Sequence, residues 1–267
     1  MNSAHPAPDG RNTDPHALTL TRVSDTEWHA VEDGRVVGRG DASRRPDGRL
    51  FVSIDAWHDT AFERIAAAMR ADLPGPLHTV VDESDHATAS AWRRAGFTTA
   101  GREWGYLVPT DPQVTGLGPA RPPEGVTIVP AGLAEEGPLR ALERVVHDEI
   151  EAGAGWQSIP AQVLPRPAGT LVVDPARYAV ARQHDRYVGL IRVSPPRRPR
   201  IGLIAVRAEL HRHGIARALL AHALESLHRE GTTEAWAEVA ESNTAATALL
   251  QGIGARRTGG VLELVLR

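Results

Sequence analysis

The sequence contains no cysteine, which removes thiol nucleophiles, disulfides and Cys-ligated zinc together. It contains no lysine either: all 30 basic residues are arginine, so neither a Schiff-base amine nor a Walker-type phosphate lysine is available. No stretch approaches the run of about 18 apolar residues that a membrane helix needs. The opening MNSAHPAPDGRNTDPHA is polar and proline-rich, unlike a charged start followed by an apolar core. These absences predict a soluble, cytoplasmic protein with no membrane partner, whose chemistry rests on His, Glu, Asp, Ser, Tyr or backbone groups.

Residues 1–120 carry 12 Arg against 17 Asp and Glu, and residues 121–267 carry 18 against 16. Neither half has the dense basic patch of a nucleic-acid groove, and PPRRPR at 195–200 reads as a solvated turn, so no nucleic-acid partner is expected.

With 267 residues and 42% hydrophobic content, two modest cores are expected. The stretch PTDPQVTGLGPARPPEG at 109–125 breaks every periodicity and marks the boundary. The predicted organisation is a disordered tail over 1–16, a first domain over 17–110, a linker over 111–124 and a second domain over 125–267. In the first domain, strands flank the Asp-Gly turns at 33–34 and 47–48. A helix capped by Asp59 or Thr60 then runs to the PGP at 74–76, followed by the strand LHTVVD, the helix ATASAWRRAGF and the strand REWGYLVP. The second domain reads as strand GVTIVPAG, a helix over 133–152, a hairpin turning at His184-Asp185 and the strand RIGLIAVRAE. A helix after Gly214, the strand EAWAEVA, the helix NTAATALLQGI and the strand GVLELVLR complete it. The order strand, Asn- or Asp-started helix, final strand occurs at 77–108 and again at 235–267, which points to two related domains.

The chemistry concentrates at AELHRHGIARALLAHALESLH, residues 208–228. Ile215, Leu219, Leu220, Ala223, Leu224 and Leu227 form one apolar helix face, and the apolar strand before them makes the connection a tight strand-to-helix turn around Gly214. A helix start presents unpaired N–H groups and a positive dipole end, and glycine admits a bulky anion, so the turn suits a pyrophosphate. A bland structural junction fits the same residues. The pair His211-x-His213 offers two metal ligands with no third at a completing spacing, so no metal is expected. A helix-turn-helix is excluded because a strand precedes the turn.

The block AVRAELHRHGIARALLAHAL resembles the acyl-CoA pyrophosphate loop and helix of the GNAT N-acetyltransferase superfamily. A second block, AEVAESNTAATALLQGIGA, resembles that superfamily's closing signature, with Asn243, Ala246, Leu250 and Gly254 at its characteristic places. Together the blocks cover residues 125–267. The resemblance implies an α/β (α+β) fold of two GNAT-like domains, each a mixed, mostly antiparallel sheet flanked by helices. It implies acetyl-CoA, or another acyl-CoA, as cosubstrate. Backbone groups of Ile204, Ala205 and Val206 would hold the pantetheine arm. The loop His211, Arg212, His213, Gly214, Ile215, Ala216 with Arg217 would hold the diphosphate, with Asn243 and Ala246 shaping the cofactor side. Glu238, five residues before Asn243, would be the catalytic base, as in relatives resembling ribosomal-protein alanine acetyltransferases; Glu241 is the alternative. A carboxylate on a central strand is costly unless used or paired, which gives Glu238 a second reading as an arginine's partner.

Two departures stand out. Leu250 occupies the usual place of the tyrosine that protonates the leaving thiolate, and His211 replaces the usual Arg or Gln. The first domain matches only the later part of the pattern: Asp85 and Trp92 take the Asn and Tyr places, Val80 replaces Glu238, and the glycine loop is missing. It is expected to be a degenerate, non-catalytic copy. Asp148, Glu149, Glu151 and Trp156 would recognise a small amine or a peptide N-terminus. The expected activity is N-acetyl transfer to such a primary amine, with a homodimer as one assembly; a catalytically weak acyl-CoA-binding scaffold is the alternative.

Overall fold

The computed structural model describes residues 17–45, 48–119, 121–152, 173–194 and 199–267. The expected tail and Trp156 lie outside these residues, as does the side chain of Glu151. The first half opens with an antiparallel meander of β1 (Thr19–Ser24), β2 (Glu27–Glu32), β3 (Arg35–Arg44) and β4 (Leu50–Ala56). Asp33 and Gly34 stand at φ 50° and 70°, the left-handed pair that a two-residue hairpin turn requires. Nothing in the sequence pattern predicts β1, because its residues are exposed on both faces apart from half-buried Leu20.

Next come α1 (Asp59–Asp72), β5 (Leu77–Asp82), α2 (His86–Arg94) and β6 (Thr98–Pro109). The cap of α1 corrects the sequence expectation. His58, not Asp59 or Thr60, is the N-cap, its Nδ1 accepting from the Ala61 N–H at 3.2 Å. Asp59 is the first helical residue instead, where its charge suits the helix dipole and where it pairs with Arg94 at 2.7 Å.

A short α3 (Pro112–Thr115) lies in the connector. The second half is β7 (Val126–Val129), α4 (Glu136–Ala152), β8 (Tyr178–Gln183), β9 (Arg186–Ser194), β10 (Arg200–Val206), α5 (Ile215–Arg229), β11 (Glu234–Ala240), α6 (Thr244–Gln251) and β12 (Arg256–Leu266). The closing segments repeat closely. Asp85 Oδ1 accepts from Thr88 N–H and Asn243 Oδ1 from Ala246 N–H, both at 3.0 Å. Their backbones agree as well, at φ −85°, ψ 76° and φ −85°, ψ 74°.

The twelve strands among the described residues join one mixed, mostly antiparallel sheet in the order β1-β2-β3-β4-β5-β12-β6-β11-β10-β9-β8-β7. The order reveals an exchange. β12, from the second half, pairs with β5 of the first, and β6, from the first half, pairs with β11 of the second. Trp104, Tyr106 and Val108 of β6 are therefore buried in the core under α5, while Leu262 and Leu264 of β12 are buried in the core under α1 and α2. The connector over 111–124 divides the chain in sequence, and the packing crosses it.

Alternation sorts the two sheet faces in the second half. Ala179, Ala181 and Ile191 face α5, whereas Tyr178, Val180 and Leu190 face α4 with Leu139, Leu142 and Val146. The helices thus cover both faces of β8–β10, one carrying the α5 loop and the other Glu238.

Candidate functional site

The site begins with a fork in the sheet. β10 and β11 are parallel neighbours only at Arg200–Trp236 and Ile201–Ala237. Beyond them β10 bulges between Ile201 and Leu203 and continues as Ile204, Ala205 and Val206 paired with β9 alone. A bulge that bends a strand away from its neighbour opens the gap. Among the described residues the edge of Ile204–Val206 that faces β11 has no strand partner, although the segment lies mid-sheet and is half-buried.

At the open end β10 leads into the loop His211–Ala216. Arg212 and Gly214 adopt φ 65° and 82°, so the chain turns twice through left-handed geometry before α5 starts. Gly214 is the N-cap and supplies no side-chain acceptor. Among the described residues nothing accepts from the N–H groups of Ile215, Ala216 and Arg217, the orphan donors of a first helical turn. A Cβ placed on Gly214 would meet nothing within 4 Å, so the space before these donors is open.

The two histidines brace this loop. His211 Nε2 lies 2.8 Å from the Val206 carbonyl, and His213 Nδ1 lies 2.9 Å from the His211 carbonyl. A carbonyl oxygen only accepts, so each of those nitrogens carries the proton. Among the described residues no group of three His, Asp or Glu side chains could hold a metal ion.

A groove of about 480 Å³ adjoins the loop, lined on one side by His213, Gly214, Arg217, Ala218 and Ala221 and on the other by connector residues between Gly116 and Pro123, Arg121 included.

Glu238 projects on the opposite sheet face, because Ala235, Ala237 and Val239 of the same strand point into the α5 core. Its carboxylate is mostly buried, ion-paired with Arg200 Nη2 and hydrogen-bonded by Trp236 Nε1 at 3.3 Å. The Trp236 indole lies flat enough over Gly105 of β6 that a Cβ there would come within 2.8 Å of the ring. Glu241 stands apart from Glu238: it is exposed and pairs with Arg102 at 3.3 Å. Asn243 and Ala246 close the first turn of α6, and Leu250 is buried in the α5 core.

On α4, Asp148 is exposed, and Glu149 Oε2 accepts from the Ala208 N–H at 2.9 Å, tying the helix to the end of β10. Sequence reasoning missed Glu143, nearly two turns earlier on the sheet-facing side. It is 8% exposed, one oxygen accepts from the Tyr178 hydroxyl, and the other has no partner among the described residues. Burial, then the hydrogen bond to Glu143, push the Tyr178 phenol up to about 12, so it stays a neutral donor. Arg200 was missed too, being 38 residues from Glu238 in sequence.

The first half has a fork of its own, between β4 and β5, paired only at Leu50–Leu77 and Phe51–His78. Where the second half has its glycine loop, this one has Trp57 and the capping His58. In place of Glu238, Val80 lies exposed. Glu263 of β12 fills this region, holding Arg49 at 2.7 Å and His78 at 2.9 Å.

Comparison with known proteins bears on the segment that carries the second fork. Residues 143–255 match the Acetyltransferase (GNAT) family. The alanine N-acetyltransferase of ribosomal protein bS18 from Escherichia coli K12 is 43% identical over 51 residues, 19% of this chain and 34% of that protein. The chain thus spans about a third of the length of that curated relative. Two solved structures share the fold across both halves. A GCN5-related N-acetyltransferase from Sphaerobacter thermophilus aligns with TM-score 0.60 at 18% identity, covering 92% of this chain and 82% of that one. A tandem GNAT protein from the clavulanic acid biosynthesis pathway aligns with TM-score 0.62 at 16% identity, covering 90% and 82%. The matched residues include the fork, the loop and Glu238, but the β6 strand that completes their core comes from outside them.

Proposed function

We propose that the protein is an acetyl-CoA-dependent N-acetyltransferase acting on a primary amine, either a small molecule or a peptide N-terminus. The observation that carries this reading is the fork: an unpaired mid-sheet backbone edge at Ile204–Val206 leading to an uncapped helix start with open space before its donors. An extended pantetheine arm satisfies such an edge as a surrogate strand, and the diphosphate satisfies the N–H groups of Ile215, Ala216 and Arg217. Ladder bonds alternate along β10, with Ala205 turned to Leu190 of β9 and Ile204 and Val206 to the fork; the Val206 carbonyl is already engaged by His211, so the arm bonds the N–H and carbonyl of Ile204 and the N–H of Val206.

Transfer needs an amine lone pair. Glu238 takes the proton from the acceptor ammonium, directly or through water; the nitrogen then attacks the thioester carbonyl, the C–S bond breaks, and the thiolate takes a proton to leave as coenzyme A. Arg200 and Trp236 fix the carboxylate in place. The acceptor approaches on the α4 side, where Asp148 and the second oxygen of Glu149 would recognise it. Leu250 donates no proton, so the thiolate receives one from solvent or from the attacking nitrogen, which loses its second proton as the amide forms.

Leu250 and the Arg200 pairing of Glu238 favour a second reading, a weakly catalytic acyl-CoA-binding scaffold. Thiol release from acetyl-CoA, followed with a disulfide reagent in the presence of alanyl peptides and alkylamines, separates the two. The chain has no cysteine, so the signal reports coenzyme A alone. Amine-dependent release supports the enzyme; saturable binding without release supports the scaffold.

A further inference from the structure

The groove beside α5 contains something the loop alone does not explain. Among the described residues its lining carries Arg121 and Arg217 with His213 and no Asp or Glu, and neither arginine forms an ion pair. Elsewhere in this structure arginine is commonly matched to a carboxylate, as at Arg49, Arg94, Arg102, Arg186 and Arg200. Two arginines left facing one groove, from different elements, form a receptor for more negative charge than a single helix start accommodates.

The wall opposite α5 is the connector between the halves, and it is anchored. The Thr110 N–H and hydroxyl donate to the Thr233 and Thr232 carbonyls, and Leu117 packs against the α5 core. Gly116 and Gly118, both at φ 61°, turn the chain back across α5 and bring Arg121 to the groove.

We propose that the connector is part of the nucleotide site and that Arg121 binds the 3′-phosphate of coenzyme A, so that this link between the halves sets selectivity for the 3′-phosphorylated cosubstrate. The inference rests on the acyl-CoA reading above. A diphosphate at the N–H groups of α5 leaves the ribose 3′-phosphate as the remaining dianion, and guanidinium engages a phosphate through two parallel hydrogen bonds. Arg217, in the first turn of α5, serves the diphosphate.

Calorimetric titration with coenzyme A and with 3′-dephospho-coenzyme A tests this without knowledge of the acceptor. Wild type should bind coenzyme A about 10-fold or more tightly than the dephospho form. Arg121→Gln, at an exposed position, should bring the two affinities together while leaving that for dephospho-coenzyme A within about twofold of wild type. Arg217→Gln should weaken both ligands and keep the preference. Equal loss of both ligands in Arg121→Gln, or a wild type that binds both ligands alike, overturns the assignment to Arg121 and leaves the acyl-CoA reading standing. Failure of wild type to bind either nucleotide overturns both.

Discussion

Gly105 lies directly opposite Gly259 in the ladder between β6 and β12, the pair of strands across which the two halves trade places. On one side of this pair β12 completes the first half's core, and on the other β6 completes the second's. Matching positions after each closing helix supply matching faces: Trp104, Tyr106 and Val108 in one strand, Leu262 and Leu264 in the other. Each half owns a strand that only the other can bury.

The halves are therefore not separable at the connector. A fragment of residues 125–267 lacks Trp104, Tyr106 and Val108, large side chains that are each at most 8% exposed, and it bares the edge of β11. We expect it to aggregate or to lack a cooperative thermal transition, and a fragment starting at residue 98 to recover part of the fold. Circular dichroism melts and size-exclusion chromatography read the outcome. A monomeric 125–267 fragment melting like the full chain would contradict the exchange.

The Tyr178–Glu143 pair predicts a pH dependence at the alkaline end. The folded-state value of about 12 lies above the model-compound value of 10, so the stabilisation is fully present below pH 10 and is lost as pH rises through 12. Absorbance titration at the tyrosinate band should show one late-titrating phenol that disappears in Tyr178→Phe. That variant leaves Glu143 without its donor and should lose about 1–3 kcal/mol in urea unfolding at pH 8.

The two candidate bases differ in surroundings, and that difference predicts their variants. Glu238→Gln keeps the shape and removes the basicity, so turnover should fall roughly 10- to 1000-fold with acetyl-CoA affinity nearly unchanged. Glu241→Gln breaks only an exposed contact with Arg102 and should leave turnover within about twofold. Steady-state kinetics that reverse this order would move the base to Glu241.

Local signals were legible in the sequence. The Asp33-Gly34 turn, the Asn243 cap and the strand-to-helix junction at Gly214 each depend on residues within a few positions, and each forms where the pattern predicts it. The strands REWGYLVP and GVLELVLR were legible as well, within β6 and β12. Their pattern could not tell which strands they pair with, because the face of a strand is set by its own period of two and its neighbour by the rest of the chain. The ion pair of Glu238, the buried carboxylate of Glu143 against Tyr178 and the arrival of Arg121 beside α5 all join residues distant in sequence. The cap of α1 was missed for another reason: His58 does the work of an Asp or Ser through a ring nitrogen, while the nearby Asp59 had the commoner side chain for the role.

The central claim is that the second fork alone takes acyl-CoA, through the loop 211–217. Isothermal titration of acetyl-CoA into wild type, Gly214→Glu and Thr60→Glu tests it most directly. Gly214→Glu fills the open space before the α5 donors with a negative charge and a side chain that resists φ 82°. Thr60→Glu places the same charge at an exposed position in the first turn of α1, which leads from the first fork. The account predicts one site per chain in wild type, no detectable binding in Gly214→Glu and unchanged binding in Thr60→Glu. Two sites per chain, or equal loss in both variants, would contradict it.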